Sequence, residues 1–245
     1  MTLYIDMGNS RIRLLSDPDG IGKIVAHEYR HAGLESTLQN TIANLPVPDR
    51  VVVASVAGED LTSRLNSWCE STWSVTPEYL QSDKVCCGVT NGYHNPAQLG
   101  IDRWLAMIAA WNKYRANICV FDCGSAVTAD LVTAAGQHLG GYIIPGYNMM
   151  QQSLVNNTGL IRLQTDATCS IQPGINTDDC VYHGTTLALV AFIEKIMDMA
   201  NKSVNGTFKC IITGGGADLA LNSVNADMYH EQMLVMEGIK LASKG

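Results

Sequence analysis

The sequence predicts an α/β protein of two duplicated halves with a ligand-binding cleft between them. The composition is that of a globular chain, with 245 residues, 47% hydrophobic and 16% charged. Short apolar runs typical of strands alternate with longer segments of helical periodicity. A motif near the N-terminus, Ile5–Ser10 (IDMGNS), is repeated in the same context as Phe121–Ala126 (FDCGSA). Asp-x-Gly is a common hairpin turn, but two copies, each between two strand-like runs, favour duplication over coincidence.

The first half reads as a hairpin followed by alternating strands and helices. Leu3–Asp6 and Arg11–Leu15 flank a Gly-Asn-Ser turn, which is a hairpin signal. The remaining predicted elements are an extended run over 23–29, a helix over 33–44, a buried strand over 51–56, a helix over 60–69 and an irregular loop over 77–96.

The second half repeats this order after a long, partly buried helix that begins near Leu99. The pattern predicts strands over 118–122, 126–132 and 139–144, helices after Pro145-Gly146 and over 177–200, a strand over 208–213 and two closing helical segments. We therefore expect two domains, 1–113 and 114–245.

Charge and apolar patterning narrow the classes of function. A net charge of -7 and a pI of about 5.3 disfavour nucleic-acid binding, which usually requires a basic face. The sequence shows neither a signal-peptide pattern nor about 18 uninterrupted apolar residues, so we expect a cytoplasmic protein without membrane contact. The eight cysteines form no Cys-x-x-Cys pair, and reduced thiols are expected. The role of the adjacent Cys86 and Cys87 stays open.

The first hairpin turn has the composition of a phosphate-binding loop. Gly8 lets the backbone approach phosphate oxygens, and Asn9 and Ser10 add side-chain donors. Asp6 stands where a carboxylate could hold Mg²⁺ through water. The loop is not a Walker A motif, because no Gly-Lys-Ser/Thr follows.

Three further features each allow two interpretations. Arg11 and Arg13 share one strand face, where they either add positive charge to the site or are solvated. The glycine run 214–216 is either a strand–helix turn or a surface for a nucleotide base or ribose. Asp102 and Arg103 begin the long helix as a capping pair or as part of a shaped junction, and the preceding Gly100 favours the junction.

Five motifs, in order and spacing, resemble those of type III pantothenate kinases, and the resemblance runs from residue 6 to the glycine run at 214. They are Asp6-x-Gly8-Asn9-Ser10, Tyr93-x-x-Pro96-x-x-Leu99-Gly100-x-Asp102-Arg103-Trp104, Asp122-x-Gly124-Ser125-Ala126-x-Thr128, Gly140-Gly141-x-Ile143-x-Pro145-Gly146, and Asn176-Thr177. The resemblance implies two duplicated actin-like (ribonuclease H-like) domains. It also implies ATP-dependent phosphorylation of pantothenate to 4'-phosphopantothenate, the first step of coenzyme A biosynthesis, by a homodimer that requires Mg²⁺ and a monovalent cation, K⁺ or NH₄⁺.

The resemblance also assigns residues. Asp102 is the implied general base, Asp122 the implied ligand of the monovalent cation, and Asp6 that of Mg²⁺. The implied ATP-binding residues are Asp6, Met7, Gly8, Asn9, Ser10, Arg11, Ile12, Arg13 and Ser125, the last at a position where the family usually has Thr. The implied pantothenate-binding residues are Tyr93, Gly100, Ile101, Asp102, Arg103 and Thr177.

Two other functions stay open on the sequence. The first is a kinase of the same superfamily that acts on another hydroxylated acid or sugar, because fold does not fix substrate. The second is a catalytically idle relative with a regulatory role. The presence of Asp6, Asp102 and Asp122 argues against the idle relative.

Overall fold

A computed structural model describes residues 1–9, 11–17, 24–28, 33–42, 46–164, 169–203 and 206–244. The strands are β1 (Thr2–Met7), β2 (Arg11–Asp17), β3 (Ile24–Glu28), β4 (Arg50–Ser55), β5 (Glu78–Tyr79), β6 (Val85–Cys86), β7 (Val89–Thr90), β8 (Ile118–Cys123), β9 (Ala126–Val132), β10 (His138–Pro145), β11 (Lys209–Thr213) and β12 (Tyr229–His230). The helices are α1 (Leu34–Ile42), α2 (Glu59–Trp73), α3 (Ile101–Tyr114), α4 (Tyr147–Asn157), α5 (Thr177–Ser203), α6 (Ala217–Ser223) and α7 (Leu234–Ala242), with a 3₁₀ turn at Pro96–Gln98.

Two sheets of identical topology confirm the predicted duplication. One sheet has the strand order β3-β2-β1-β4-β5 and the other β10-β9-β8-β11-β12. In each, the first three strands of the half form an antiparallel meander. The remaining two strands add in parallel on the other side of the leading strand. Parallel addition requires a crossover connection, which is why helices precede β4 and β11.

The chain forms two compact units whose bounds differ from the predicted domains at the C-terminus. The first unit comprises Met1–Asn112 and Met233–Gly245, and the second comprises Lys113–Gln232. We expected the second domain to continue to residue 245. Instead, α7 packs on β1 and β4 of the first unit and buries its apolar side chains there. Nothing in the sequence of α7 indicates which of two similar sheets it covers.

The core of the first unit explains two sequence patterns. The predicted buried strand is β4, and its Val51 and Val53 share a core with Leu3, Ile5 and the helices α1 and α2. Helix α3, which we expected to be partly buried, is buried along most of its length, because apolar residues lie on all its sides. The loop predicted over 77–96 contains only two-residue strands and the short 3₁₀ turn.

The core of the second unit lies between its sheet and α5. Leu189, Val190, Ile193 and Ile196 of this helix are buried in that core. Within the described part of the chain, the segment Thr177–Lys202 is long and apolar enough to cross a membrane by length and composition alone. One face of α5 packs on β8 and β9, and 39% of this apolar segment is buried.

Candidate active site

The predicted phosphate loop joins β1 to β2 as a tight turn in the first unit. Met7 pairs with Ile12 across the two strands, so residues 8–11 make the connection. The Gly8 N–H donates to the Arg11 carbonyl at 3.0 Å, and a Cβ on Gly8 would lie 3.4 Å from the same oxygen. A side chain at position 8 would thus make an ordinary contact, and glycine leaves the backbone of the turn uncovered. Asn9 is exposed, whereas the predicted donor Ser10 lies outside the described residues.

The predicted ATP-binding residues of this turn differ in whether their side chains are accessible to a ligand. Met7 and Ile12 have fully buried side chains, which leaves only their backbone for contact with a nucleotide. Arg11 is exposed at the turn. The Arg13 guanidinium Nη1 donates to the carboxylate of Asp6 at 3.0 Å. Of the two interpretations for Arg13, the one that adds positive charge to the site is the one that fits this contact.

Asp6 is a buried carboxylate at the end of β1. Burial raises its pKa above the ordinary value, the adjacent Arg13 lowers it, and the negative charge of Asp102 raises it further. A carboxylate held in this way gains from a nearby cation. The site therefore fits Mg²⁺, which takes one or two carboxylates and keeps several waters.

Asp102 lies in the first turn of α3, where the backbone leaves room for its carboxylate. Its Oδ1 accepts a hydrogen bond from the Arg103 N–H at 2.8 Å, so Asp102 bonds a free N–H of the first turn from inside the helix and is not an N-cap. A Cβ on Gly100 would stand 2.7 Å from the same Oδ1. Glycine at position 100 thus makes space for the candidate base, which agrees with the shaped junction.

Arg103 is a buried cation on an otherwise apolar stretch of helix. Its side chain is 6% exposed, and its Nη1 donates to the Tyr93 hydroxyl at 3.0 Å. The guanidinium carbon lies 5.8 Å from the centroid of the Tyr93 ring. The two predicted substrate-binding side chains therefore form one hydrogen-bonded pair. The side chain of Ile101 is buried, so only its backbone is available to a substrate.

Asn91 organises the segment that leads to these residues, and sequence reasoning missed it. Its buried side chain accepts from the Tyr93 N–H at 2.9 Å and donates to the carbonyls of Asp83 at 3.2 Å and Pro96 at 3.4 Å. Three points of an irregular loop are thereby tied together. In the sequence, Asn91-Gly92 is only a turn signal, and it carries no information about these distant partners.

The corresponding turn of the second unit joins β8 to β9 and is one residue shorter. Cys123 pairs with Val127, so residues 124–126 make this connection. The Gly124 N–H donates to the Ala126 carbonyl at 2.9 Å, as Gly8 does in the first turn. Ser125, the predicted nucleotide contact, is exposed, and its carbonyl accepts from the Gly146 N–H at 2.9 Å. The turn is thus held against the start of α4.

The glycine run after β11 packs directly against Asp122. Gly214 has φ of 93°, and a Cβ there would lie 2.4 Å from the Asp122 Oδ1. The Gly216 N–H donates to the Cys123 carbonyl at 2.8 Å. Both glycines are therefore explained by the strand–helix turn that they form. The carboxylate of Asp122 and the carbonyl of Cys123 give this turn an oxygen donor set, which hard cations take.

Thr177 begins α5 in the second unit and lines a cavity of about 600 Å³. The other lining residues are mainly apolar or small, and they are Leu154, Ile161, Gly174, Ile175, Asn176, Cys180, Val181, Gly184 and Thr185. The described residues contain no cluster of three or more His, Cys, Asp or Glu side chains able to hold a metal ion. The predicted site residues thus fall into two sets. The first unit carries the phosphate loop, Tyr93 and Gly100–Arg103, and the second carries Asp122, Ser125 and Thr177.

Comparison with solved structures identifies the fold as actin-like. A protein from Campylobacter jejuni, described as a Baf family transcriptional activator, aligns over 99% of this chain and 97% of its own, with a TM-score of 0.63 and 19% identity. A protein from Sinorhizobium meliloti, described as a 2-dehydro-3-deoxygalactonokinase, aligns over 100% and 98%, with a TM-score of 0.61 and 12% identity. At these identities the likeness concerns the fold alone.

Sequence comparison identifies the family. The family model for type III pantothenate kinase matches residues 2–199. The type III pantothenate kinase of Nitrosococcus oceani is 33% identical over 100% of this chain and 94% of its own length. That of Pseudomonas aeruginosa is 35% identical over 99% and 98%. The chain therefore belongs to the type III pantothenate kinase family.

Proposed function

We propose that this pantothenate kinase moves the γ-phosphoryl group of ATP to the primary hydroxyl of pantothenate with Asp102 as the general base. The observation that carries the proposal lies in the first unit, where Gly100 leaves room for the Asp102 carboxylate at the start of α3 and the negative charge of Asp102 acts on the buried Asp6. A base and a metal-binding carboxylate close enough to affect each other's charge suit phosphoryl transfer, where both act on the reacting groups.

The chain's own groups have separate tasks in this reaction. Asp102 accepts the proton of the substrate hydroxyl as that oxygen attacks the γ-phosphorus in line. The N–H groups of the β1–β2 turn, with Asn9, Ser10 and Arg11, bind the phosphates of ATP. Asp6 would hold Mg²⁺, and Asp122 would hold the monovalent cation. Both cations would neutralise phosphate charge.

The substrate is oriented by side chains that are already fixed by their neighbours. Arg103 and Tyr93 present a preformed pair of donors to pantothenate, and Gly100 and Ile101 contribute backbone groups. Positioning of this kind supplies much of the barrier reduction in phosphoryl transfer. We assign pantothenate contact also to Thr177 and nucleotide contact to Ser125, whose hydroxyl replaces that of the usual Thr.

The first test is ADP release by the purified protein with pantothenate, Mg²⁺ and ATP, in potassium and then in sodium buffer. Pantothenate-dependent turnover that potassium stimulates supports the reaction and the monovalent-cation site together. Equal turnover in both buffers contradicts the cation site. Turnover only with another hydroxylated acid or sugar, measured on a substrate panel, contradicts the substrate.

The second test is the Asp102→Asn variant, which keeps the shape of the side chain but removes the base. We expect turnover to fall about 100-fold or more, as for loss of a positioned general base. Nucleotide binding, measured by calorimetry, should stay nearly intact. Asp60→Asn, at the first turn of α2 in the same unit, is the matched control and should keep full activity. An Asp102→Asn variant that keeps more than about a tenth of the rate, a barrier change under roughly 1.4 kcal/mol, contradicts the assignment.

The proposal includes a homodimer that acts in the cytoplasm. Support for self-association comes from apolar side chains of the second unit that are exposed in the single chain, among them Ile143, Leu160 and Ile175. Sedimentation velocity over a range of concentrations measures the assembly, and a single species at the mass of one chain contradicts it.

A further inference from the structure

The hairpin formed by β6 and β7 carries two adjacent thiols at its tip. Cys86 pairs with Val89, so Cys87 and Gly88 form a two-residue connection. Both have positive φ, 48° for Cys87 and 87° for Gly88, which is the requirement of a type I′ turn. Such turns favour Asn-Gly, because residues other than Gly, Asn and Asp are strained there. The turn itself therefore does not explain a cysteine at position 87.

The backbone of this turn brings the two sulfur atoms together. The Sγ atoms of Cys86 and Cys87 lie 3.6 Å apart, and one thiol donates to the other. Both side chains are only partly buried, so a small solute can reach them. The Asn112 Nδ2 donates to the Cys87 carbonyl at 2.9 Å, which holds the turn against the end of α3. The pair is thus presented on a supported backbone and not on a free loop.

The sulfur separation suits a shared cation better than a disulfide. A disulfide needs sulfurs about 2.05 Å apart and Cα atoms usually about 4.4–6.8 Å apart, whereas neighbouring residues have Cα atoms only about 3.8 Å apart. A centre that two thiolates bind at about 2.3 Å, with an angle of about 100–109° between them, holds the two sulfurs about 3.5–3.8 Å apart. The observed 3.6 Å is close to that ligand spacing.

We propose that Cys86 and Cys87 form a binding site for a soft, thiophilic cation that accepts two thiolates, with trivalent arsenic as the representative. Soft thiolate ligands select cations of this class. With an arsenical of the form R–As=O, each thiol gives up its proton, two As–S bonds form, and the As=O oxygen leaves as water. No electron is transferred, so the step needs neither oxidant nor reductant.

The proton balance of this step sets how binding depends on pH. Burial raises the pKa of the Cys86 thiol to about 11, with further contributions from Cys87 and the carboxylate of Asp83. The Cys86 thiol is therefore protonated at neutral pH. Because the two thiol protons leave with the arsenical oxygen as water, the step releases no net proton, and binding should change little between pH 6 and 8. The same protonation slows attack by reagents that need a single thiolate.

The experiment is intact-protein mass spectrometry of the full chain after incubation with phenylarsine oxide. We expect one adduct per chain, with the mass of the arsenical minus one water, mapped by proteolysis to the peptide that holds residues 86 and 87. Two linked thiols act at high effective concentration, so 2-mercaptoethanol should leave the adduct in place at concentrations about 100-fold above those at which a dithiol removes it.

The decisive variant is Cys87→Asn, which supplies the residue that the turn favours and removes one ligand. The hairpin should stay folded, and the monothiol-resistant adduct should be lost. Cys86→Ser should lose it as well. The double variant Cys169→Ser/Cys180→Ser removes two exposed thiols elsewhere and should keep it. Retention of the adduct in Cys87→Asn, its mapping to other cysteines, or its removal by the monothiol overturns the proposal.

Discussion

At the scale of single residues, the buried carboxylate of Asp6 destabilises the folded protein when it is ionised. Its carboxylate is buried, and the Arg13 guanidinium offsets only part of the cost, because the pKa of Asp6 remains raised from its ordinary value of 3.8. The folded protein therefore holds this proton to higher pH than the unfolded chain does. Stability is lost as pH rises from about 3.8 through the raised pKa of Asp6, and the loss is complete above it.

The Asp6→Asn variant should consequently be more stable than the parent at neutral pH and inactive. Each kcal/mol of burial cost removed raises the melting temperature by about 2–4 °C in a chain of this size. The difference should narrow as pH falls toward 3.8, where both side chains are neutral. Thermal melts between pH 4 and 8 without ligand measure the gain in stability. The same melts with Mg²⁺ and ATP measure how much of the stabilisation by ligand the variant has lost.

The control for this prediction is Asp198→Asn, because the pKa of Asp198 is lowered by a hydrogen bond from Lys202. Its removal should stabilise the protein at no pH. If Asp6→Asn is less stable than the parent at pH 7, the ion pair with Arg13 outweighs burial, and the account of Asp6 is wrong.

Local contacts were predictable from the sequence, because they join residues that are close together in the chain. The turn at Gly8 and the helix start at Gly100 and Asp102 depend on near neighbours, which the chain order shows directly. Asn91 depends on carbonyls at Asp83 and Pro96, and no local pattern encodes those partners. Residue types can nominate a candidate base, but only the fold shows which loop fixes the groups around it.

At the scale of elements, helix α3 links the candidate site to the end of the chain. Gly238 of α7 lies against α3, where an added Cβ would meet the Leu105 carbonyl oxygen at 2.2 Å. That oxygen is backbone and cannot turn aside, so a side chain at 238 must push the two helices apart. Arg103 and Asp102 lie within one turn of Leu105, and a shift of α3 moves them.

Gly238→Ala should therefore lower stability by about 1–3 kcal/mol, the usual cost of overpacking, despite the better helix propensity of Ala. We also expect a fall in kcat/KM for pantothenate, because α3 carries the candidate base. Denaturant titration and steady-state kinetics measure the two effects.

Gly184→Ala is the matched control, since it is also a helical glycine but has no atom within 4 Å of the added Cβ. It should be neutral or more stable by up to about 1 kcal/mol. Equal unfolding free energies for the two variants would show that α7 and α3 can move apart with little loss of stability, which contradicts the prediction.

Elements with a clear hydrophobic pattern were predictable from the sequence. Elements that depend on packing against distant parts of the chain were not. The periodicity of α3 and α5 and the apolar run of β4 gave their type and approximate bounds. The short strands β5, β6 and β7 have too few residues for any period to show. The sheet on which α7 packs was not predictable, because an apolar helix face carries no mark of which of two similar sheets it will cover.

At the scale of the whole molecule, the two units differ in which parts of the chain build them, although their sheets share one topology. The second unit is one continuous segment, whereas the first needs α7 from the far end of the chain. Helix α7 buries four apolar side chains, Leu234, Val235, Met236 and Ile239. Their burial contributes roughly 6–12 kcal/mol as an upper value, which is comparable with the whole stability of a domain.

A chain truncated after residue 232 should therefore lose the first unit and keep the second. All four tryptophans, at 68, 73, 104 and 111, belong to the first unit. Their emission should be that of exposed indole in the truncated chain, while far-UV circular dichroism still shows one cooperative urea transition. A native-like tryptophan spectrum would contradict the assigned importance of α7.

The position of α7 also bears on how the protein is made. As the ribosome extends the chain, residues 113–232 can collapse as soon as they emerge, but the strands with Asp6 and the helix with Asp102 still lack their covering helix. That helix follows the whole second unit in the chain, so the N-terminal segment waits until residues 233–245 have been synthesised. We expect chaperones to engage this waiting segment, and an interrupted chain to be unable to bind or consume ATP at a half-built site. Completion of the first unit thus depends on the synthesis of α7.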